Sequence, residues 1–289
     1  MMKIPKNLSL GLLVFSILAL TAFVYFPSCG NGFVNWDDEA YVAQNAVIKS
    51  LSADHLQKIF SSFSVGNYQP LTILSYMFDY QFFRLDPSGY HLTNLLLHLC
   101  NGLLVFWLIS LLDGRVRVAC VTALFFGIHP LHVESVAWIS ERKDVLYSLF
   151  FLGALISYCY YFRRGFSKKY YLFSLILFLC SLLSKAMAVT LPLVLLGLDR
   201  LIFKRRDKGA WSDKIPFFLL SLVFGSVAFW AQPIGTALRS GGSFSVPERF
   251  LIAPFCALFY LTKTFFPVDL SCLYPFQATK GRALPPFFY

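Results

Sequence analysis

Long apolar runs separated by short basic loops constrain this chain more than any other feature. They cover approximately 8–26, 91–112, 116–131, 144–162, 170–184, 187–203 and 215–231, and a less regular run at 250–268 is interrupted by Pro254 and Lys263. A helix of about 20 apolar residues spans the hydrocarbon core of a bilayer. Composition agrees: 57% of the residues are hydrophobic and 14% charged, against about 45–50% and about 25% in soluble domains. The first run could be a secretory signal, but no A-x-A cleavage pattern follows it, so it is read as a retained helix. The expected fold is all-α: a polytopic transmembrane helix bundle of about seven or eight helices in a single membrane domain, 1–289.

The loops set the orientation. Lys3 and Lys6, Arg115 and Arg117, Arg163, Arg164, Lys168 and Lys169, and Arg200 to Lys214 fall on one side if the chain weaves regularly. That side holds 14 basic residues against four acidic, and the remainder carries 11 of each. Basic loops stay cytoplasmic, which predicts a multi-pass protein of a cell inner membrane. The net charge of +10 is thereby explained by topology, and no nucleic-acid partner is needed. The opposite, extracytoplasmic side receives the long polar loop 28–90. In it Ser52 is placed to cap a short helix beginning at Ala53, and the segment from Pro70 to Phe83 reads as an amphipathic surface helix.

The seven cysteines form no CxxC pair and imply neither a zinc site nor a disulfide framework. Cys29 and Cys272 are the two that could face the oxidising side. No repeat of 20–50 residues is visible, and the abrupt ending LPPFFY suggests a C-terminally truncated chain.

Three polar clusters could carry chemistry. Asp37, Asp38 and Glu39 are adjacent carboxylates that repel one another. Such a group can hold a divalent metal or keep one carboxylate basic enough to take a proton; otherwise it is a solvated loop or a helix N-terminus. The second cluster holds His129, His132, Glu134, Glu141, Arg142, Lys143 and Asp144. Ionisable groups beside membrane helices usually have a task or a partner, here a site or a helix hairpin tied by internal ion pairs. No HExxH pattern is present. The third is Ser184-Lys185, where the lysine either snorkels to the interface or neutralises a phosphate. His91, Asn94 and His98 share one helix face, expected to pack into the bundle. The chain has no GxxxxGK[ST] loop and no GxSxG elbow, which argues against nucleotide-driven chemistry.

At the segments FVNWDDEAYVAQN, YQPLT, GYHLTNLLLH, HPLHVESVAWISERKDVL, LLSKAMAVTLP and RFLIAPFCALFYLTKTFFPVDLSCLYP the chain resembles the membrane part of the transmembrane and tetratricopeptide-repeat O-mannosyltransferases and their bacterial relatives. These belong to the glycosyltransferase C-type superfamily. The resemblance implies an enzyme that moves a mannose-like hexose from a polyprenyl-phosphate donor to a protein or glycan hydroxyl on the extracytoplasmic side, with membrane lipid as its surroundings. It places the general base on Asp38, with Asp37 as rival and Glu39 beside them. The D-E-x-x-Y pattern of related enzymes is met only in part, because Tyr41 follows directly after Ala40. Arg142 and Lys185 are the implied phosphate cations, with Lys143, His129 and His132 in support; Glu134 and Asp144 orient those cations or help hold an acceptor. A divalent metal is possible, although protein cations can suffice. The chain carries no tetratricopeptide repeats, and it has fewer helices than the superfamily usually does. Two other readings stand beside this one: a transporter or flippase of lipid-linked sugars, whose charges would sit near the bilayer midplane, and a non-catalytic membrane scaffold.

Overall fold

The computed structural model describes residues 8–205, 207, 209–231 and 246–271. Lys3, Lys6, Arg206, Lys208, Cys272 and the closing LPPFFY lie outside those residues. The described residues fall into two compact units, one within 1–231 and one within 232–289.

The first unit is helical throughout. Helix α1 (Leu8–Tyr25) leads into a polar loop that contains α2 (Ala53–Ser61) and α3 (Pro70–Phe83). Then follow α4 (Pro87–Asp113), α5 (Val116–Ile128), the short α6 (Val133–Ala137), α7 (Arg142–Arg163) and α8 (Lys168–Ser184). The unit closes with α9 (Leu191–Gly197), α10 (Gly209–Ser212) and α11 (Ile215–Ala231). In the second unit α12 (Val246–Phe265) is described, with Pro254 inside it.

Four apolar stretches are long enough to cross a membrane: Leu10–Gly30, Pro87–Asp113, Ile139–Arg163 and Gly209–Ala231. Val116–Ile128 and Pro130–Ala137, bent by 50°, make a fifth if the pair is one span. The chain is a membrane protein, but the expected seven or eight spans are too many for the described residues. The run at 170–184 gives a helix of 17 residues that opens on Lys168 and Lys169. That at 187–203 is broken into a 3₁₀ turn, a seven-residue α-helix containing Pro192 and a π turn at Leu198–Ile202. In the last run the apolar helix is only Ile252–Phe265. Apolarity marks these segments as buried or lipid-facing without making them spans.

Local chemistry sets the helix ends. The Asp86 carboxylate accepts the Ser88 amide at the start of α4, where Pro87 takes the position that needs no N–H. Gly114, with φ of +74°, closes the same helix and donates to Ser110. The expected Ser52 cap forms, accepting the His55 amide at 3.3 Å.

Helices α7 and α8 form the central hairpin, and α4 packs against α5 and α7. Ala154, Leu155, Tyr158, Phe178, Leu182, Leu191 and Phe217 make the main core. Between α1 and α5, Gly127 approaches Thr21 so closely that a Cβ there would collide with the threonine hydroxyl, the small-residue contact that helix pairs in lipid favour. Phe15, Phe23, Phe125, Phe173, Leu222 and Trp230 remain exposed, which suits a lipid-facing surface. The polar loop has its own core: Tyr41, Ile48, Ile59, Ile73, Tyr76 and Met77 close against Tyr90 and Ile139. Thus α3 packs one face into the protein while Phe78 and Phe82 stay exposed.

The end of the bundle away from this loop holds a closed charge network. Asp199, Lys214 and Tyr158 are fully buried. Lys214 pairs with Asp199, and the Tyr158 hydroxyl donates to the same carboxylate at 2.9 Å. Arg205 meets Asp213 at 2.7 Å and Asp207 at 2.9 Å. The network ties the π turn to α7 and to the start of α11. Removing one partner of a buried ion pair strands the other charge at a cost of about 3–5 kcal/mol. Lys214→Met is therefore expected to lower the thermal unfolding temperature in detergent sharply. Adding Asp199→Asn should recover part of the loss, and unchanged unfolding of the single variant would refute the pairing.

Candidate active site at the loop end of the bundle

The acidic turn of the long loop is held against the head of α7. Asp38, 1% exposed, accepts the Ser140 amide at 2.9 Å and the Ser140 hydroxyl on one oxygen. Its other oxygen accepts the Val34 amide at 3.0 Å. The Trp36 and Trp138 rings meet beside it, 5.6 Å between centroids. Asp38 begins a π turn, Glu39–Ala43, which turns its neighbours outward. Asp37 is partly exposed and, among the described residues, makes neither a hydrogen bond nor an ion pair. Glu39 is exposed and accepts from the Gln44 amide at 3.1 Å. The three carboxylates thus occupy three different environments, and among the described residues no group of three His, Cys, Asp or Glu is arranged to hold a metal. Burial pushes the Tyr41 hydroxyl up, and the nearby Asp37 and Glu141 charges add to the shift.

Arg142, expected at the phosphate, is wholly buried. Its Nε donates to Asn94 Oδ1 at 2.7 Å and Nη2 to the Tyr90 carbonyl at 2.8 Å. Nη1 lies 2.5 Å from Asp79, and the guanidinium carbon sits over the Tyr76 ring at 4.7 Å. Burial pushes the Asp79 carboxyl up, opposed by the Arg142 charge beside it. Asn94 also donates to the Trp138 carbonyl at 3.1 Å. Arg142 thereby joins α3, α4 and the head of α7, and no donor group of its side chain reaches the surface.

The partly exposed cations are the lysines. Lys143 pairs with Glu141 at 2.7 Å and lies 5.4 Å from the centre of the Tyr41 ring. Lys185, at the residue that ends α8, pairs with Asp144 and lies 3.6 Å from Glu141. Asp144 also accepts from the Ser135 hydroxyl at 3.1 Å. The end of α8 is anchored by Thr72, whose hydroxyl donates to the Ser184 carbonyl at 2.9 Å. So Glu141, Lys143 and Asp144 of the second sequence cluster and Lys185 of the third lie together, next to the acidic loop.

His129 and His132 flank the bend between α5 and α6. His129 Nδ1 accepts the Leu131 amide at 3.2 Å, and the His132 ring packs on Phe126 at 4.7 Å. Glu134 is exposed on α6, apart from the lysine pairs. His91, Asn94 and His98 are buried, as their shared helix face predicts. Sequence reasoning missed Asp79, Ser135 and Ser140. A lone acid inside the apolar stretch of α3 was a signal for Asp79, since such a charge needs a partner; the two serines carried none.

Hydrogen bonds to a charged acceptor contribute about 1.5–3 kcal/mol. Ser140→Ala is expected to lower the detergent unfolding temperature, and Asp38→Asn to lower it further, because the amide turns a donor toward a donor. Equal unfolding temperatures for both variants and the parent would rule out this clamp.

No family profile matches the chain, and no solved structure matches it. Curated relatives do. Protein O-mannosyl-transferase Tmtc1 of Drosophila melanogaster is 32% identical over 191 residues, which cover 62% of this chain and 22% of that protein. The Xenopus laevis protein O-mannosyl-transferase tmtc2 is 31% identical over 200 residues, 65% of this chain and 24% of the relative. Protein O-mannosyl-transferase TMTC4 of Homo sapiens is 29% identical over 174 residues, 52% of this chain and 23% of the relative. The chain thus spans about a quarter of the length of these relatives, and over that part it is distantly homologous to protein O-mannosyl-transferases.

Proposed function

We propose that the chain carries the membrane part of a glycosyltransferase that moves a mannose-like hexose from a polyprenyl-phosphate donor to a hydroxyl acceptor, on a protein or a glycan. The observation that supports this best is the Asp38–Ser140 clamp, which joins a partly open carboxylate turn to a surface carrying Lys143 and Lys185. In this reading the acceptor oxygen attacks the anomeric carbon and its proton passes to Asp37. The bond from that carbon to the phosphate oxygen breaks, and the electron pair leaves with the phosphate. A carboxylate base makes a hydroxyl a competent nucleophile, and fixed cations stabilise the charge growing on the leaving phosphate.

Asp37 takes the base role because Asp38 is buried and already accepts three hydrogen bonds. Asp38 positions the turn. Lys143 and Lys185 meet the phosphate, while Glu141 and Asp144 hold them in place beforehand, and Arg142 supports the site from below. The basic loop after α7, with Arg163, Arg164, Lys168 and Lys169, belongs to the opposite end of α7 and α8. With the positive-inside rule, that placement supports reading the site as facing the extracytoplasmic side of a cell inner membrane.

The scaffold reading draws on one observation, that both lysines are internally paired. Sugar transfer in reconstituted membranes from labelled polyprenyl-phosphate hexose separates the two. Asp37→Asn, inserted at equal level, should reduce transfer by about 10²–10⁴-fold, and Lys185→Met by about 10²–10³-fold. Chelation with EDTA should leave transfer unchanged, since the phosphate charge is assigned to lysines. Parent-like transfer by Asp37→Asn would refute the base, and absence of transfer by the parent, with a longer relative active, would favour the scaffold.

A further inference from the structure

Beside the lysine pairs lies a cavity of about 190 Å³, lined in part by His98, Asn101, Phe126, His132, Ser135 and Asp144. Pockets for drug-sized ligands run to about 300–1,000 Å³. The cavity lies below that range, which suits one small ring.

Its chemistry is that of a neutral polyol. Asn101 is 1% exposed and donates to the Val145 carbonyl at 2.8 Å, but its Oδ1 has no partner. A buried acceptor left unpaired is destabilising, and a ligand hydroxyl placed there would satisfy it. His98 is fixed, its Nε2 donating to the Gly127 carbonyl at 2.9 Å. His132 stands 5.6 Å from it, ring centre to ring centre. Ser135 and Asp144 add a hydroxyl and a carboxylate, while the Phe126 ring offers an apolar face of the kind on which the C–H face of a sugar ring packs.

One wall residue connects the cavity to the phosphate surface: Asp144, which lines the cavity and holds Lys185. We propose that this cavity is the subsite for the sugar ring of the donor. It takes a single neutral hexose whose hydroxyls pair with Asn101, His132 and Ser135, with the linking phosphate outside at Lys185. The proposal rests on the donor reading of the preceding subsection.

The test compares binding of polyprenyl-phosphate hexose and of bare polyprenyl phosphate to the chain in nanodiscs. Ser148 and Met187 also line the cavity, and Met187 is 60% exposed, a position that accepts a larger side chain with little risk to folding. The parent should bind the sugar-bearing lipid about tenfold more tightly than the bare one. Ser148→Phe, filling the cavity from α7, and Met187→Trp, filling it from the exposed side, should each bring that ratio close to one while binding of the bare lipid is kept. A parent ratio near one, or a full ratio in a filled variant that still binds bare lipid, would overturn the subsite and leave the donor reading standing. Failure of the parent to bind either lipid would overturn both.

Discussion

A carboxylate taken out of water must be met by hydrogen-bond donors, and Asp38 is met by donors from two distant parts of the chain. Val34 lies four residues before it and Ser140 lies 102 residues after it. That one buried group converts a polar loop into a lid fixed on the bundle. The loop core of Tyr41, Ile73, Tyr76 and Met77 closes against Ile139, and the Tyr76 hydroxyl donates to the Ile139 carbonyl at 2.8 Å. With the clamp in place, Asp37 stands on the same surface as the lysines of α7 and the end of α8. Together with the Tyr76–Ile139 and Arg142–Asp79 contacts, the clamp holds the acidic turn and the cations in one frame.

Apart from Asp38, which is met by neutral donors, the most deeply buried charges among the described residues are ion-paired at both ends of the bundle. Arg142 with Asp79 and Asn94 stiffens the loop end, and Lys214 with Asp199 and Tyr158 stiffens the other. Networks of this kind cost desolvation, and removing a single partner strands the other charge. Lys143 and Lys185 differ in remaining partly exposed, each against a carboxylate. An incoming phosphate would find cations already held in position, so that little reorganisation accompanies the growth of charge.

Much of the fold was legible because its physics is periodic or local. The apolar runs mark α1, α4, α5, α7 and α11, Ser52 announces α2, and the i, i+3, i+7 set on α4 turns inward as its spacing requires. The number of spans was not legible. Apolarity reports removal from water, and α8, α9 and the π turn after it are removed from water partly by packing on one another. At the candidate site, the segments grouped from sequence lie next to one another, but neighbours within them could not be ranked from sequence. Asp37, Asp38 and Glu39 are alike in sequence, and only the backbone turn decides which one points inward. Arg142 looks like a surface cation in a polar run, and its burial depends on Asp79 and Asn94, which belong to other helices.

The candidate site depends on the acidic turn being locked to the head of α7 through Asp38. Site-resolved hydrogen exchange at the Val34 and Ser140 amides, in the parent and in Asp38→Asn, tests this most directly. Both amides should be protected in the parent and lose protection together in the variant, while amides in the middle of α7 keep theirs. Free exchange at both amides in the parent, or protection unchanged in Asp38→Asn, would contradict it.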